Sequence, residues 1–199
     1  MKVIGFDFDG TLILSEDIKA NLFDEIFREH YGLKSVKKFY PSLRGISRKD
    51  KIKKVFSHFL ARSPSSRELH NIDFAFSKGY EYRMSTCPLV KCVSALKVIR
   101  KKFDFMFMLS LENQREVREL ASHCGLNRYF DVILGGPKSK EQNLRFLMRK
   151  RKFHAKQALY VGDSKSDLAL AKKLGMRSLI VKNNLSGIPA KYASLCDFK

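Results

Sequence analysis

The sequence predicts an α/β fold: a parallel five-stranded sheet covered by helices on both faces, with a helical insertion after the first strand. Three observations carry this reading. Five short apolar runs alternate with amphipathic helical patterns. The runs are near-continuously apolar, as strands of a parallel sheet buried on both faces must be. The alternation breaks once, between Leu14 and about Pro88, where no strand-like run occurs.

The strand-like runs are KVIGFDF (2–8), FDFMFMLS (103–110), DVILGG (131–136), ALYVGD (158–163) and SLIVKN (178–183). Helical patterns lie between them at 92–103, 112–125, 139 to about 151, and 165–175. Gly125 and Gly175 stand where helices stop, because a left-handed residue closes a helix end most easily without a Cβ. The insertion reads as helices. SEDIKANLFDEIFREHYG (15–32) carries Ile18, Leu22 and Ile26 at helical spacing and ends on Gly32. Ser47 reads as an N-cap with Asp50 three residues on, followed by Ile52, Val55, Phe56 and Phe59 on one face. A third helix is expected within 63–84. The predicted division is therefore a core of residues 1–14 and 88–199, and a helical insertion of residues 15–87.

A chain of 199 residues with 44% hydrophobic content is large enough to bury a core. Its charge is extreme: 39 Lys and Arg against 20 Asp and Glu, a formal net charge of +19. Such a surface suits nucleic acid, anionic lipid or phosphorylated substrates. It equally suits plain solvation, since the cations are spread along the whole chain. The densest cluster, MRKRKFHAK (148–156), reads as a helix end and the loop after it, where cations suit the dipole. Cys87, Cys92, Cys124 and Cys196 form no C-x-x-C pair, so free thiols in a reducing compartment are expected. The chain opens directly into a strand bearing two acids, unlike a signal peptide, and no run is long enough to cross a bilayer. A cytoplasmic protein with no membrane partner is the expectation.

In an open α/β sheet the reactive crevice lies beyond the carboxyl ends of the strands. The first strand ends in Asp7, Phe8, Asp9, Gly10 and Thr11; the second ends in Ser110. The third leads through Gly135, Gly136 and Pro137 to Lys138 and Lys140, and the fourth ends in Gly162, Asp163 and Ser164, with Asp167 following. Asp7 and Asp9 sit one residue apart after an apolar run, and like charges so close need a cation or a proton. Oxygen-only ligation with no His or thiolate suits Mg²⁺. Each residue also has an ordinary structural reading: Ser110 as an N-cap, Asp167 as an acid in a first helical turn, Gly10 as a turn glycine.

These residues resemble the haloacid dehalogenase superfamily. The match lies in DFDGT (7–11), Ser110, Lys140 and GDSKSD (162–167), in order and each at a strand end. The resemblance implies a three-layer α/β/α Rossmann-like core with a helical C1 cap inserted after the first strand. It also implies an Mg²⁺-dependent phosphatase acting on a small phosphorylated metabolite. On it, Asp7 is the nucleophile, and Asp9 is the general acid and base whose backbone carbonyl also faces the metal. Asp163 is a metal ligand, and Asp167 a ligand or its support. Ser110 and the backbone at Leu111 hold the phosphoryl oxygens, Gly10 and Thr11 line the phosphate, and Lys140 neutralises charge. The carboxylate at Asp9 argues for phosphate esters and against dehalogenation.

Lys138 competes with Lys140 for its role. SKEQ (139–142) reads as a capping box that puts Lys140 at the first helical position, where a cation opposes the dipole. A residue kept against its local preference points to function, which favours Lys140. RGISRKDK (44–51) resembles the specificity loop of phosphoglycolate-phosphatase-like relatives, with Arg44 and Arg48 toward an anionic substrate; solvated arginines at a helix entry are the plain alternative. A different class of function, a basic nucleic-acid-binding protein or nucleotide or nucleic-acid-end phosphatase on the same scaffold, is carried by the +19 charge and the 148–156 cluster.

Overall fold

The computed structural model describes residues 1–84, 86–91, 93–181 and 195. The chain divides into two compact units, Met1–Leu14 with Pro88–Lys199, and Ser15–Cys87.

The first unit is built on one parallel sheet. Its strands are β1 (Val3–Asp7), β2 (Phe105–Asn113), β3 (Val132–Gly136), β4 (Ala158–Gly162) and β5 (Arg177–Ile180), in the order β3-β2-β1-β4-β5. The reversal of direction at β1 makes a crevice at its carboxyl end. After the insertion, which holds the chain's first four α-helices, come α5 (Leu96–Lys102), α6 (Gln114–His123), α7 (Lys140–Arg151) and α8 (Lys165–Leu174). Right-handed crossovers put α7 and α8 on one face of the sheet and α5 and α6 on the other. All of β1 is buried, as the apolar run requires. On the α7/α8 face, Val3, Phe107, Tyr160 and Ala158 pack against Leu144 and Leu147 of α7 and Ala171 of α8.

Gly5 is the weak point that shapes this face. It pairs with Phe107 on β2 and Tyr160 on β4. Phe107 and Tyr160 close over the missing side chain, with ring centroids 6.4 Å apart. A Cβ at Gly5 would lie 2.2 Å from Cζ of Phe107.

Several boundaries differ from the sequence reading. β2 runs on to Asn113, three residues beyond the apolar run, because Asn113 pairs with Gly136 after a register shift. Ser110 therefore lies inside a strand, and Asn113 takes the N-cap of α6, accepting from the Arg115 N–H at 2.9 Å. The helix expected at 92–103 is a 3-10 turn, Val93–Ala95, leading into the shorter α5. β5 starts at Arg177; residues 182–183 of the expected strand, Cys92 and Cys196 lie outside the described residues. Cys87 and Cys124 are free thiols.

The second unit is helical: α1 (Glu16–Tyr31), α2 (Val36–Phe39), α3 (Arg48–Leu60) and α4 (Ser66–Met84). Gly32 closes α1 in the left-handed conformation, and Ser47 caps α3 by accepting from the Asp50 N–H. The short α2 escapes sequence reading because one turn of VKKF has no period to detect. Much of the chain's Phe content serves this unit. Phe23 packs on Phe76 at 5.0 Å and on Tyr40 at 5.3 Å, and Phe27 meets Phe56 edge-on at 5.9 Å. Each such ring contributes about 1.5–3 kcal/mol on burial, which lets a small bundle hold a core of its own. Among the described residues no helix is long and apolar enough to cross a membrane.

The Gly5 packing gives a direct test. Gly5→Ala is expected to destabilise by about 1–3 kcal/mol through overpacking against the Phe107 ring, read as a lower urea midpoint with an unchanged slope. An unchanged midpoint would show that Phe107 yields freely.

Candidate active site

Period-2 alternation along β1 sends Val3, Gly5 and Asp7 to the α7/α8 face, so the chain's first acid emerges where those two helices begin. Lys140 is the first residue of α7. Ser139 caps that helix in a capping box, accepting from the Gln142 N–H at 3.2 Å while Gln142 accepts from the Ser139 N–H at 2.9 Å. The box fixes the helix start and thereby the origin of the Lys140 side chain. Asp167 sits in the first turn of α8, where its N–H donates to Ser164 at 3.2 Å and its carboxylate also accepts from the Ser164 hydroxyl. Ser164, not Asp163, is the cap.

These elements bring three carboxylates together. Asp7, Asp163 and Asp167 each offer an oxygen, and those oxygens all lie within 4.8 Å of one another. The Lys140 ammonium donates to Asp7 Oδ1 at 2.6 Å and to Asp167 Oδ1 at 2.8 Å. Lys138, by contrast, is exposed, its ammonium 5.5 Å from the Phe146 ring. The side chain of Asp9 is not part of the three-carboxylate cluster; it accepts from the Ser110 hydroxyl at 3.2 Å. Ser110 in turn accepts from the Glu112 N–H at 3.1 Å. Thr11 is fully buried with its hydroxyl 3.4 Å from Asp7 Oδ2, and Leu111 follows Ser110 on β2.

Gly10 makes the arrangement sterically feasible. Its φ is +77°, and a Cβ there would lie 2.1 Å from Asp163 Oδ2. A side chain at that position would therefore displace the acid as well as strain the turn.

Burial pushes the Asp7 carboxyl well above the usual carboxylate range, with the neighbouring Asp167 adding to the rise and Lys140 opposing it. Burial disfavours the Lys140 ammonium, yet Asp167 and Asp7 outweigh it and hold the group firmly protonated. The carboxylates thus have one built-in cation and remain short of positive charge. Oxygen ligands in a compact set suit a hard divalent cation, and Asp7, Asp163 and Asp167 are the residues that would hold it.

Two contributors were not singled out from the sequence. Tyr160 stands one β-step before Gly162 on the same face of β4, and its fully buried hydroxyl lies in the field of Lys140, Asp167 and Asp7. Gln114 locks β3 to α6, donating to the Ile133 carbonyl at 3.0 Å and accepting from the Gly135 N–H at 2.8 Å. The alternation of Tyr160 with Gly162 was a usable signal for the first; nothing local marks the second.

Arg44 and Arg48 belong to the helical unit and are engaged there. Arg44 lies 3.3 Å from Glu16. Arg48 is buried rather than solvated: it donates to Ser77 at 2.9 Å, lies 3.3 Å from Asp73, and stacks 4.2 Å above the Phe76 ring.

Comparison with known proteins places this geometry. The family profile described as haloacid dehalogenase-like hydrolase matches residues 4–181. The phosphoglycolate phosphatase of Pseudomonas savastanoi pv. phaseolicola is 30% identical over 189 residues, covering 88% of this chain and 67% of its own. The crystal structure of a predicted phosphoglycolate phosphatase from Haemophilus somnus 129PT superposes with a TM-score of 0.81 at 19% identity, covering all of this chain and 91% of that one. CbbY from Rhodobacter sphaeroides, in complex with phosphate, gives a TM-score of 0.80 at 19% identity over 98% of this chain and 92% of its own.

The electrostatics predict linkage between protons and a divalent cation. Because the Asp7 carboxyl binds its proton unusually tightly, protons compete with the cation to higher pH than at an ordinary carboxylate. Mg²⁺ or Mn²⁺ is therefore expected to raise the melting temperature more at about pH 8 than at about pH 5.5. An equal shift at both pH values would contradict ligation by Asp7.

Proposed function

Because this chain belongs to the haloacid dehalogenase-like hydrolases, we propose that it hydrolyses the phosphate monoester of a small metabolite through an aspartyl-phosphate on Asp7. Phosphoric monoester hydrolysis is the activity of the phosphoglycolate phosphatases it resembles. The observation that carries the reading is the Lys140 ammonium held between Asp7 and Asp167, beside Asp163, with the Ser110–Asp9 pair alongside.

The steps follow from positions. Asp7 attacks phosphorus, and the bond from phosphorus to the ester oxygen breaks. Asp9, oriented by Ser110, gives its proton to that leaving oxygen. The resulting Asp9 carboxylate then takes a proton from the water that attacks the aspartyl-phosphate. Inorganic phosphate leaves and Asp7 is restored. Lys140 opposes protonation of the buried Asp7 and would offset charge on the transferring group. Ser110, the Leu111 backbone, Gly10 and Thr11 would receive the phosphoryl oxygens, with Ser110 and Leu111 on β2 and the Thr11 hydroxyl 3.4 Å from Asp7. Mg²⁺ bound by Asp7, Asp163 and Asp167, with the Asp9 carbonyl, would supply Lewis-acid stabilisation of the phosphoryl charge.

The reading assigns Met1–Leu14 with Pro88–Lys199 as the catalytic core and Ser15–Cys87 as the cap. Arg44 and Arg48 of the cap would recognise an anionic group of the substrate, Arg48 from a position fixed by Ser77 and Phe76.

Release of phosphate from an aryl phosphate tests this. Activity should require Mg²⁺ and vanish in chelator. Asp7→Asn should abolish it, and Asp9→Asn should lower kcat by about 10²–10⁴-fold. Turnover surviving in a folded Asp7→Asn variant would sink the mechanism.

A further inference from the structure

We propose that Gln114 and Asn143 are positioning residues, whose side-chain amides clamp Gly135 and thereby hold Lys140 in register with the backbone at Ser110 and Leu111; the role rests on the hydrolase reading above. The sheet is irregular where these elements meet. β2 pairs with β3 up to Leu109 opposite Leu134, and resumes with Asn113 opposite Gly136. Ser110, Leu111 and Glu112 therefore stand against Gly135 alone. A bulge of this kind interrupts the ladder and re-aims the side chains it carries. One of them is Ser110, whose hydroxyl donates to Asp9 at 3.2 Å.

Backbone groups beside a broken ladder need other partners. At Gly135 side chains supply them. Gln114, the first residue of α6, accepts from the Gly135 N–H at 2.8 Å and donates to the Ile133 carbonyl at 3.0 Å. Asn143 of α7 donates to the Gly135 carbonyl at 3.0 Å. The N–H and the C=O of one glycine are thus each held by a carboxamide, from two different helices. There is no slack at the junction. A Cβ at Gly135 would lie 2.6 Å from the Glu112 carbonyl oxygen, and one at Gly136 would lie 3.3 Å from the Leu111 carbonyl oxygen. The end of β3 therefore rests directly on the β2 backbone that would receive the phosphoryl group.

The other end of the clamp is the start of α7. Asn143 is the fourth residue of the helix that Lys140 opens, and its N–H donates to the Ser139 carbonyl at 3.0 Å. Its backbone is tied to the helix start, and its side chain to Gly135. Asn143 is only 4% exposed. A buried carboxamide costs stability unless it is hydrogen-bonded, and Asn is a poor helix former. A residue kept against both preferences points to a role beyond packing. The Lys140 ammonium has to reach Asp7 at 2.6 Å and Asp167 at 2.8 Å. A displacement of about 1 Å in such a constellation costs about 10²-fold in rate.

Aryl phosphate turnover and urea unfolding of the full chain test the clamp. Gln114→Met and Asn143→Leu keep the side-chain size and remove the amide. Each should lower kcat about 10–100-fold, with KM changed less than about twofold. The double variant should lose little more than the worse single one, because both amides act on one glycine. Leu147→Ala, which loosens the same helix away from Gly135, should lower the urea midpoint and leave kcat within about threefold. A second cycle needs no turnover: in chelator, the midpoint loss from Asn143→Leu should shrink by about half in a Lys140→Met background. If wild type releases no phosphate, the hydrolase reading fails and this cycle alone decides whether the clamp holds Lys140. Should Asn143→Leu not fold, Gln114→Met carries both tests. Unchanged kcat in the folded single variants, a change in KM alone, kcat losses that multiply in the double variant, or a midpoint loss indifferent to Lys140→Met would each overturn the proposal.

Discussion

One ammonium group organises the site. Lys140 donates to Asp7 and to Asp167, and all three side chains are buried or nearly so. Without a cation between them, two acids at this depth would not both ionise. The pair also joins three elements: β1, which ends in Asp7, and the starts of α7 and α8. Removing one partner from such a buried set costs about 3–5 kcal/mol, because the remaining charge is left uncompensated. The site is therefore a structural joint as well as the proposed reaction centre. The Ser139–Gln142 capping box and the Ser164 cap hold the two helix starts that the joint depends on.

The carboxyl edge of the parallel sheet gathers Asp7, Asp9, Asp163 and Asp167. This clustering of acids does not follow from a net charge of +19. A rim of strand ends is a rigid place to hold charged groups in fixed positions.

Much of this was legible in the sequence, for physical reasons. Burial on both faces writes a parallel strand as an apolar run, so β1 and β4 stand out, and SKEQ announces its own capping box. What failed to show was set by partners. β2 extends through Leu111, Glu112 and Asn113, beyond the apolar run, because of what Asn113 pairs with, not what it is. The choice between Lys138 and Lys140 turned on local helix geometry, and the structure brings the Lys140 ammonium to the acids while Lys138 lies at the surface. The acid group of four divides, with the Asp9 side chain turned to Ser110 across 101 residues of sequence. No local pattern distinguishes a buried Arg48 from a solvated one, since its partners Asp73 and Ser77 come from another helix.

The most direct test of the Lys140 joint is the pH dependence of stability of Lys140→Met beside wild type, measured in chelator. Asp7 already holds its proton above the ordinary range, and loss of Lys140 raises that affinity further. A carboxyl with a raised folded pKa costs stability only where it is ionised. The variant should therefore melt well below wild type at neutral pH, and the gap should narrow on acidification as the acids take up protons. A variant as stable as wild type at neutral pH, or a gap independent of pH, would show that the acids do not depend on Lys140.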